Sequence, residues 1–124
     1  MLLVCGFTVP DAESSEFAAL ATRAIELLTA QPGCVRAVLG RSADSPGQWS
    51  LTVEFTTVVA YRRAMSPFDV REHVIPFLSR GEASAYEIHT TGTDGHAEQR
   101  VSVVAADAGT VRPGEGSGPA VPRS

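Results

Sequence analysis

The chain has 124 residues, of which 44% are hydrophobic and 19% charged, a length and composition typical of one globular domain. Its net charge of −4 argues against non-specific binding of nucleic acid, which requires a basic surface. No apolar run approaches the roughly 20 residues that cross a bilayer, and residues 1–4 are apolar but lack the basic segment of a signal peptide. We therefore expect a cytoplasmic protein that binds neither nucleic acid nor a membrane.

The first part of the chain predicts a strand followed by a helix. Residues 2–9 form a short apolar run that ends at Pro10, which favours a strand. The apolar residues that come next recur at helical spacing and predict one buried helix face: Phe17, Leu20, Ala21, Ala24, Leu27 and Leu28. Pro32 and Gly33 then end this helix.

Two further strands are predicted after the helix. Residues 34–42 form the second strand, and the sequence A-D-S-P-G at 43–47 predicts a turn of hairpin length. In residues 48–56 strict alternation, the period of a strand, places four apolar side chains on one face: Trp49, Leu51, Val53 and Phe55. Cys5 and Cys34 lack metal-site or redox spacing, so we expect both to be reduced thiols packed in the core.

A second helical region is predicted after the third strand. Thr57 is a candidate N-cap for a short helix, and Ser66 with Pro67 predicts a restart in which Ser66 is the N-cap. Pro76 is expected to bend or end that helix because it lacks a backbone N–H. A last strand at 84–91 completes the order β-α-β-β-α-β, which is a ferredoxin-like α+β fold.

The domain is expected to span residues 1–91, with a C-terminal extension over residues 92–124. Within the extension, residues 100–106 can form a short strand or an arm. Residues 109–124 contain four Gly, three Pro and no aromatic residue, a composition that predicts a disordered tail.

Basic residues of the second helical region are candidate functional residues. His73 is expected on an apolar helix face, and histidine changes protonation near neutral pH. Its expected face also holds Val70, Val74 and Phe77. A core or interface histidine satisfied by one hydrogen bond fits the same spacing. Either Arg62 or Arg63 can bind a carboxylate or a phenolate, and a solvated surface charge is the alternative for each.

Aromatic side chains can line an apolar pocket for a flat aromatic ligand or can fill an ordinary core, and their positions in the sequence do not decide between the two. The candidates are Phe7, Trp49, Phe55, Phe68 and Phe77, together with Phe17. The three histidines share no i, i+3 or i, i+4 spacing and pair with no cysteine at zinc-site spacing. No metal site is therefore predicted, and the sequence contains no phosphate-binding, dinucleotide-binding or hydrolase motif.

Three stretches carry a resemblance to a known family: Q-P-G-C at 31–34, V-E-F-T-T at 53–57 leading into A-Y-R-R-A at 60–64, and S-P-F-D-V-R-E-H at 66–73. Through them the sequence resembles the antibiotic biosynthesis monooxygenase family over roughly residues 1–91. This resemblance implies a homodimeric α+β barrel, in which two four-stranded sheets pair and the helices cover the outside. A symmetric partner would supply the layer that one face of so small a sheet lacks.

The resemblance also implies a reaction. Some family members are oxygenases that need no metal or flavin and convert phenolic polycyclic or quinol-type substrates to quinones with O₂. Such an enzyme needs a dry pocket, a base or hydrogen-bond acceptor, and a donor or cation that holds the developing anion. His73 is then the candidate base or donor, Arg63 the candidate anion-binding cation, and Tyr61 a further candidate, with no cofactor required.

Two alternatives remain open from the sequence. One is a non-catalytic dimer that binds a small aromatic molecule or supports a larger pathway. The other is a haem-degrading relative, which would use a histidine, a helix Trp and a first-strand Asn. His73 matches that histidine by its spacing from Ser66, but Arg63 occupies the Trp position and residues 1–9 contain no Asn. Haem cleavage is therefore disfavoured.

Overall fold

The structure, a computed structural model, describes residues 1–100. In chain order its elements are β1 (Leu2–Thr8), a 3₁₀ turn (Asp11–Glu13), α1 (Ser14–Thr29), β2 (Cys34–Arg41), β3 (Gln48–Phe55), α2 (Val58–Ala64), a π-helical segment (Val70–Val74), α3 (Ile75–Leu78), β4 (Glu82–Tyr86), β5 (Thr90–Thr93) and β6 (His96–Gln99). The strand expected at 100–106, apart from its first residue, and the tail expected at 109–124 lie outside the described residues.

Strands β1 to β4 form one antiparallel sheet in the order β2-β3-β1-β4. This confirms the predicted ferredoxin-like α+β fold, because the two edge strands are those that follow the helical regions. The unit that contains this sheet runs from Met1 to Tyr86, and a second compact unit begins at Glu87. At one end of the sheet Phe7 of β1 pairs with Trp49 of β3, which in turn pairs with Arg41 of β2.

The core lies on the sheet face that carries the alternating apolar side chains. Six of them are at most 3% exposed: Leu3, Cys5, Phe7, Leu51, Val53 and Phe55. Helix α1 covers this face with Phe17, Ala21, Ala24 and Leu28, all at most 1% exposed. The period-2 pattern of the strands and the 3.6-residue pattern of the helix therefore meet in a single apolar layer. The predicted helix face is wrong at Leu20, which is 42% exposed.

The opposite sheet face carries a patch of apolar and small residues, and no element of the unit Met1–Tyr86 covers it. Leu2 and Val4 of β1 point to this side, and Val38 and Tyr86 on the two edge strands remain exposed. Cross-strand pairing brings Val38 opposite Thr52, and Thr52 opposite Val4. We call this group, Leu2, Val4, Val38 and Tyr86, the open-face patch.

Local signals at helix ends are partly confirmed. Thr57 caps α2 as predicted, since its side-chain oxygen accepts the N–H of Ala60 at 3.0 Å. Ser66 does not act as predicted, because its hydroxyl donates to the carbonyl oxygen of Arg63 at 2.7 Å and so binds the end of the preceding helix. Gly33, after α1, has a φ of +84°, and a Cβ there would lie 2.6 Å from the Cβ of Ala60, so only glycine fits.

The helix does not end at Pro76, which was one of the two outcomes expected there. The helix continues through Pro76 to Leu78, and the π-helical segment Val70–Val74 lies directly before it. A proline ring clashes with the carbonyl of the residue four positions earlier, and a π turn, with i→i+5 hydrogen bonds, is wider than an α turn. The wider turn thus gives the chain room to accept proline inside a helix.

The C-terminal region differs from prediction. Strand β4 ends at Tyr86 rather than at residue 91, and β5 pairs with β6 as a separate antiparallel hairpin. Asp94 and Gly95 connect the two strands with φ angles of 55° and 79°. A two-residue Asp-Gly turn with both φ values positive is the type I′ geometry that hairpins favour. That dipeptide was the sequence signal for this unpredicted hairpin.

Candidate functional site

Four aromatic rings meet between the sheet and the helices at the β1–β3 end of the domain. Phe7 lies 4.9 Å from both Phe17 and Phe77, measured between ring centroids. Phe17 lies 5.3 Å from Phe77 and 5.3 Å from Trp49. These separations lie within the range of favourable aromatic contacts. We call Phe7, Phe17, Trp49 and Phe77 the aromatic cluster.

The indole of Trp49 is the polar group of this cluster. Its Nε1 is buried, and no hydrogen-bond partner lies within reach among the described residues. The guanidinium carbon of Arg41 lies 5.0 Å from the centroid of the indole ring. Arg41 is held in place by Asp11, at 3.3 Å from Nη2 to Oδ1, and by the carbonyl oxygen of Pro46, which accepts its Nε–H at 2.6 Å.

A second aromatic pair involves the predicted site residue Tyr61. Its ring packs edge to face against Phe55 with centroids 5.7 Å apart. Tyr61 belongs to α2 and is half-buried, whereas Phe55 is fully buried at the end of β3. The cap at Thr57 fixes where α2 begins, and so it determines which helix residue faces Phe55.

His73 is not on the inward face, and that predicted location is wrong. Its side chain is 48% exposed, and its Nε2 lies 3.5 Å from Oε1 of Glu72, while Val70 and Val74 are fully buried. The reason is the π-helical segment: a wider turn rotates the chain less per residue, so the i and i+4 positions align and the i+3 position turns outward. Spacing on an α-helix had placed all three residues together.

Arg63 and Phe68 also lie on the surface. Arg63 is exposed in the last turn of α2, and Phe68 is 65% exposed. Phe68 is therefore not a core residue, and its place in an apolar pocket for a ligand stays a prediction. Of the predicted aromatic residues, the structure brings together Phe7, Trp49 and Phe77, and it places Phe55 in the core beside Tyr61.

The two thiols are packed as predicted for core residues. Burial raises the pKa of the Cys5 thiol, whose Sγ lies 3.6 Å from the carbonyl oxygen of Leu78. Burial likewise raises the pKa of Cys34, against a smaller opposing effect of a hydrogen bond with the backbone of Arg36. A raised pKa keeps both thiols protonated and unreactive at neutral pH.

The described residues contain no group of three His, Cys, Asp or Glu side chains that is arranged to hold a metal ion. Within the same part of the chain, no helix is both long enough and apolar enough to span a membrane. What the domain offers chemically is a buried aromatic cluster with one buried N–H donor and a guanidinium beside it.

Comparison with known proteins identifies the family. Residues 2–69, which run from β1 to the residue before the π-helical segment, match the family model described as antibiotic biosynthesis monooxygenase. The chain belongs to this family. The resemblance found in the sequence is thereby confirmed, and the ferredoxin-like fold agrees with it. Among curated proteins, none matches the chain.

Solved structures show the same fold. SnoaB of Streptomyces nogalater, a cofactor-independent oxygenase, matches in a variant form with 26% identity and a TM-score of 0.58, over 67% of this chain and 84% of that one. A conserved protein of Methanosarcina mazei matches over the same shares with 19% identity and a TM-score of 0.58. A Deinococcus radiodurans protein assigned to the same family covers 77% of this chain and 97% of its own, with 14% identity and a TM-score of 0.61.

Two features of this site were missed from the sequence. Arg41 was expected only as part of a strand, although the pairing of β2 with β3 places it directly opposite Trp49. The register of the hairpin around residues 43–47 was the signal that could have placed it there. The missing partner of the Trp49 N–H had no sequence signal, because it depends on how helix and sheet pack.

Proposed function

We propose that this family member is an oxygenase that needs no metal or flavin and that oxidises a flat phenolic or quinol-type substrate with O₂. The observation that carries the proposal is the aromatic cluster, an apolar site with one buried donor, in a domain of this family. SnoaB, named as a cofactor-independent oxygenase, shares 26% identity with the chain over 84% of its own length, which supports the same class of chemistry.

The proposed reaction converts a ring CH₂ of an anthrone-like substrate to a carbonyl. The substrate loses a proton to form its enolate or phenolate, and this anion passes one electron to O₂. The substrate radical and superoxide combine to a peroxide at the ring carbon, which loses water to leave the quinone. The balance is CH₂ + O₂ → C=O + H₂O, so no external reductant is needed.

The aromatic cluster would bind the flat substrate and exclude water, which strengthens every electrostatic contact with its anion. His73 lies four residues before Phe77 in the same helical region, and we propose that it accepts the proton at the substrate's exposed edge. Arg63 is the proposed cation for the anion, and Tyr61 a further donor. Because His73 and Arg63 are hydrated in the single chain, each is expected to contribute less than a buried group would.

We further propose that the working form is a homodimer in which a second copy covers the open-face patch. An antiparallel sheet with helices on one side leaves its other face to be covered, and a twofold axis would bring the same patch from each copy together. The resemblance to dimeric α+β barrels favours the same arrangement. Localisation in the cytoplasm remains a proposal that follows from the sequence.

A second candidate function has a specific observation in its favour. Phe7, Phe17 and Phe77 are each at most 3% exposed and pack on one another, so their side chains fill much of the interior. A filled interior suits a non-catalytic dimer that holds a small aromatic molecule or supports other enzymes. Such a protein would bind an anthraquinone without accelerating the consumption of O₂.

The test measures O₂ uptake with 1,8-dihydroxyanthrone after the protein has been treated with a chelator and freed of flavin. The oxygenase is expected to consume O₂ well above the spontaneous rate and to release one quinone per O₂. A matched control is the Leu20→Ala variant, which changes an exposed residue of α1 and should retain the rate. Uptake equal to the protein-free rate would refute the oxygenase and leave the binding protein.

A further inference from the structure

Trp49 is the single tryptophan of the chain, and its N–H is the buried donor identified above. An indole N–H can only donate, never accept. Buried donors in folded proteins are nearly always paired, and an unpaired one calls for an explanation. In the unit Met1–Tyr86, the indole ring contacts the ring of Phe17 and the guanidinium of Arg41, and neither side chain carries an acceptor oxygen.

The indole is held in a defined position. Trp49 sits between Phe7 and Arg41 in the register of the sheet, so its backbone is fixed by strands on both sides. Phe17 packs on the ring from α1, with an interplanar angle of 59°. A donor whose direction is set by the fold is what a binding site requires, because it loses little conformational freedom when a ligand arrives.

Arg41 covers one face of the indole ring through a cation–π contact. Its ion pair with Asp11 is exposed, with the Asp11 side chain 96% accessible to solvent, and exposed ion pairs contribute little to stability. Its Nε–H also donates to the carbonyl oxygen of Pro46 at 2.6 Å, which holds the positive charge beside the ring. The indole N–H lies in the plane of the ring, so an acceptor oxygen can approach it at the ring edge while Arg41 stays in place.

We infer that the Trp49 N–H is the hydrogen-bond donor that binds a carbonyl or phenolate oxygen of a flat aromatic ligand in the aromatic cluster, with Arg41 at the edge of the same site. The aromatic rings select a flat apolar body by stacking and edge contacts. The Trp49 N–H selects a ligand that carries an oxygen, because a ligand without an acceptor would leave this N–H without a hydrogen bond. This inference rests on the proposed function and assigns its orienting contact.

The test uses two probes that differ only in ring oxygens, anthraquinone-2-sulfonate and anthracene-2-sulfonate. Binding is measured by calorimetry to the wild type and to the Trp49→Phe variant, which keeps an aromatic ring and removes the N–H. The wild type is expected to bind the quinone about tenfold more tightly than the anthracene, a factor that corresponds to one good hydrogen bond. In Trp49→Phe this preference should vanish, with anthracene binding nearly unchanged.

A second measurement does not depend on the variant. The wild type has one indole N–H signal in a ¹H–¹⁵N spectrum, because it has one tryptophan. Saturating quinone should slow the exchange of this proton with solvent at least tenfold more than saturating anthracene does. Equal effects of the two probes, an unchanged quinone preference in Trp49→Phe, or no binding of either probe by the wild type would each overturn the inference.

The binding experiments and the O₂-uptake experiment test the donor role of Trp49 and the oxygenase activity separately. If the quinone binds through Trp49 while 1,8-dihydroxyanthrone consumes no O₂ above background, the oxygenase is refuted and the donor role stands. If O₂ is consumed and Trp49→Phe retains both kcat and KM, the donor role is refuted and the oxygenase stands.

Discussion

The guanidinium carbon of Arg41 lies 5.0 Å from the centroid of the Trp49 ring, and the two residues are direct cross-strand partners in β2 and β3. The same arginine reaches from the end of β2 to Asp11 in the 3₁₀ turn before α1. One side chain thus joins three parts of the fold at the aromatic cluster. Arg41 is therefore expected to stabilise the folded domain although its side chain is partly exposed.

The Arg41→Gln variant should be destabilised by about 1 kcal/mol, the sum expected for an exposed cation–π contact and an exposed ion pair. Urea unfolding followed by circular dichroism measures this. The matched control is Arg23→Gln, which removes an exposed i, i+3 pair with Glu26 at 3.8 Å and should cost under about 0.5 kcal/mol. Equal losses in the two variants would show that the Trp49 contact contributes nothing.

The Phe17→Ala variant should lose about 3–5 kcal/mol of stability, the usual cost of truncating a buried phenylalanine. Phe17 is 1% exposed and contacts three other rings, so few neighbours can collapse into the space. Leu20→Ala on the same helix, where the residue is 42% exposed, should cost only about 1 kcal/mol. Thermal unfolding of both variants provides the comparison, and similar values would contradict the packing described for the cluster.

The open-face patch should form a homodimer interface. Light scattering at micromolar concentration is expected to give about twice the chain mass of 13.0 kDa. Val38→Asp should shift the protein to a monomer, because an unpaired charge in a buried interface is strongly unfavourable. Val59→Asp on α2 changes a residue of similar exposure, 42% against 44%, outside the patch, and should leave the dimer intact. A monomeric wild type would refute the barrel.

Substitution of the candidate catalytic residues should give unequal losses of O₂-dependent turnover. His73→Ala is expected to lose about tenfold or less, below the 10²–10⁴ range of a well-positioned acid or base, because half of its side chain is hydrated. Arg63→Ala should mainly raise KM. A loss of 10³ or more in His73→Ala would show that a partner or the substrate encloses this histidine during turnover.

The buried thiols predict how stability changes with pH. Burial raises the pKa of Cys5 and of Cys34 in the folded state, so the folded chain holds these protons more tightly than the unfolded chain. The contribution of the two protonated thiols to the free energy of unfolding is fully present below the unfolded pKa of about 8.5. It is lost as the pH rises above that value. The free energy of unfolding should therefore fall as the pH rises above about 8.5, and less steeply in Cys5→Ala. An equal slope in the variant would contradict this assignment.

Sequence alone predicted the sheet and the first helix because their periodicities are strong. The alternation from Trp49 to Phe55 and the helical spacing from Phe17 to Leu28 each describe one apolar face, and both faces pack in the core apart from Leu20, which is exposed. Turn signals in the sequence were less decisive than these periodicities. The Asp94-Gly95 turn carried a clear hairpin signal, but its flanking residues are polar and show no apolar alternation.

The candidate site was predicted less well, for two physical reasons. Positions i, i+3 and i+4 look alike in a sequence whether the helix is α or π, so the spacing could not show that His73 turns away from Val70 and Val74. Whether an aromatic residue packs in the core or lies exposed also depends on tertiary contacts, which separates Phe77 from Phe68. The unpaired donor of Trp49 is a property of the packed interior and has no counterpart in local sequence.

The π-helical segment also limits how residues of this chain can be matched to those of its relatives. A turn that closes with i→i+5 rather than i→i+4 hydrogen bonds holds one more residue than an α turn, so it is equivalent to a one-residue insertion. The family match ends at residue 69, immediately before the segment begins at Val70. A relative with an uninterrupted α-helix would need a gap in its alignment here. Counting forward from Ser66 without that gap pairs His73 with a residue on another side of the helix.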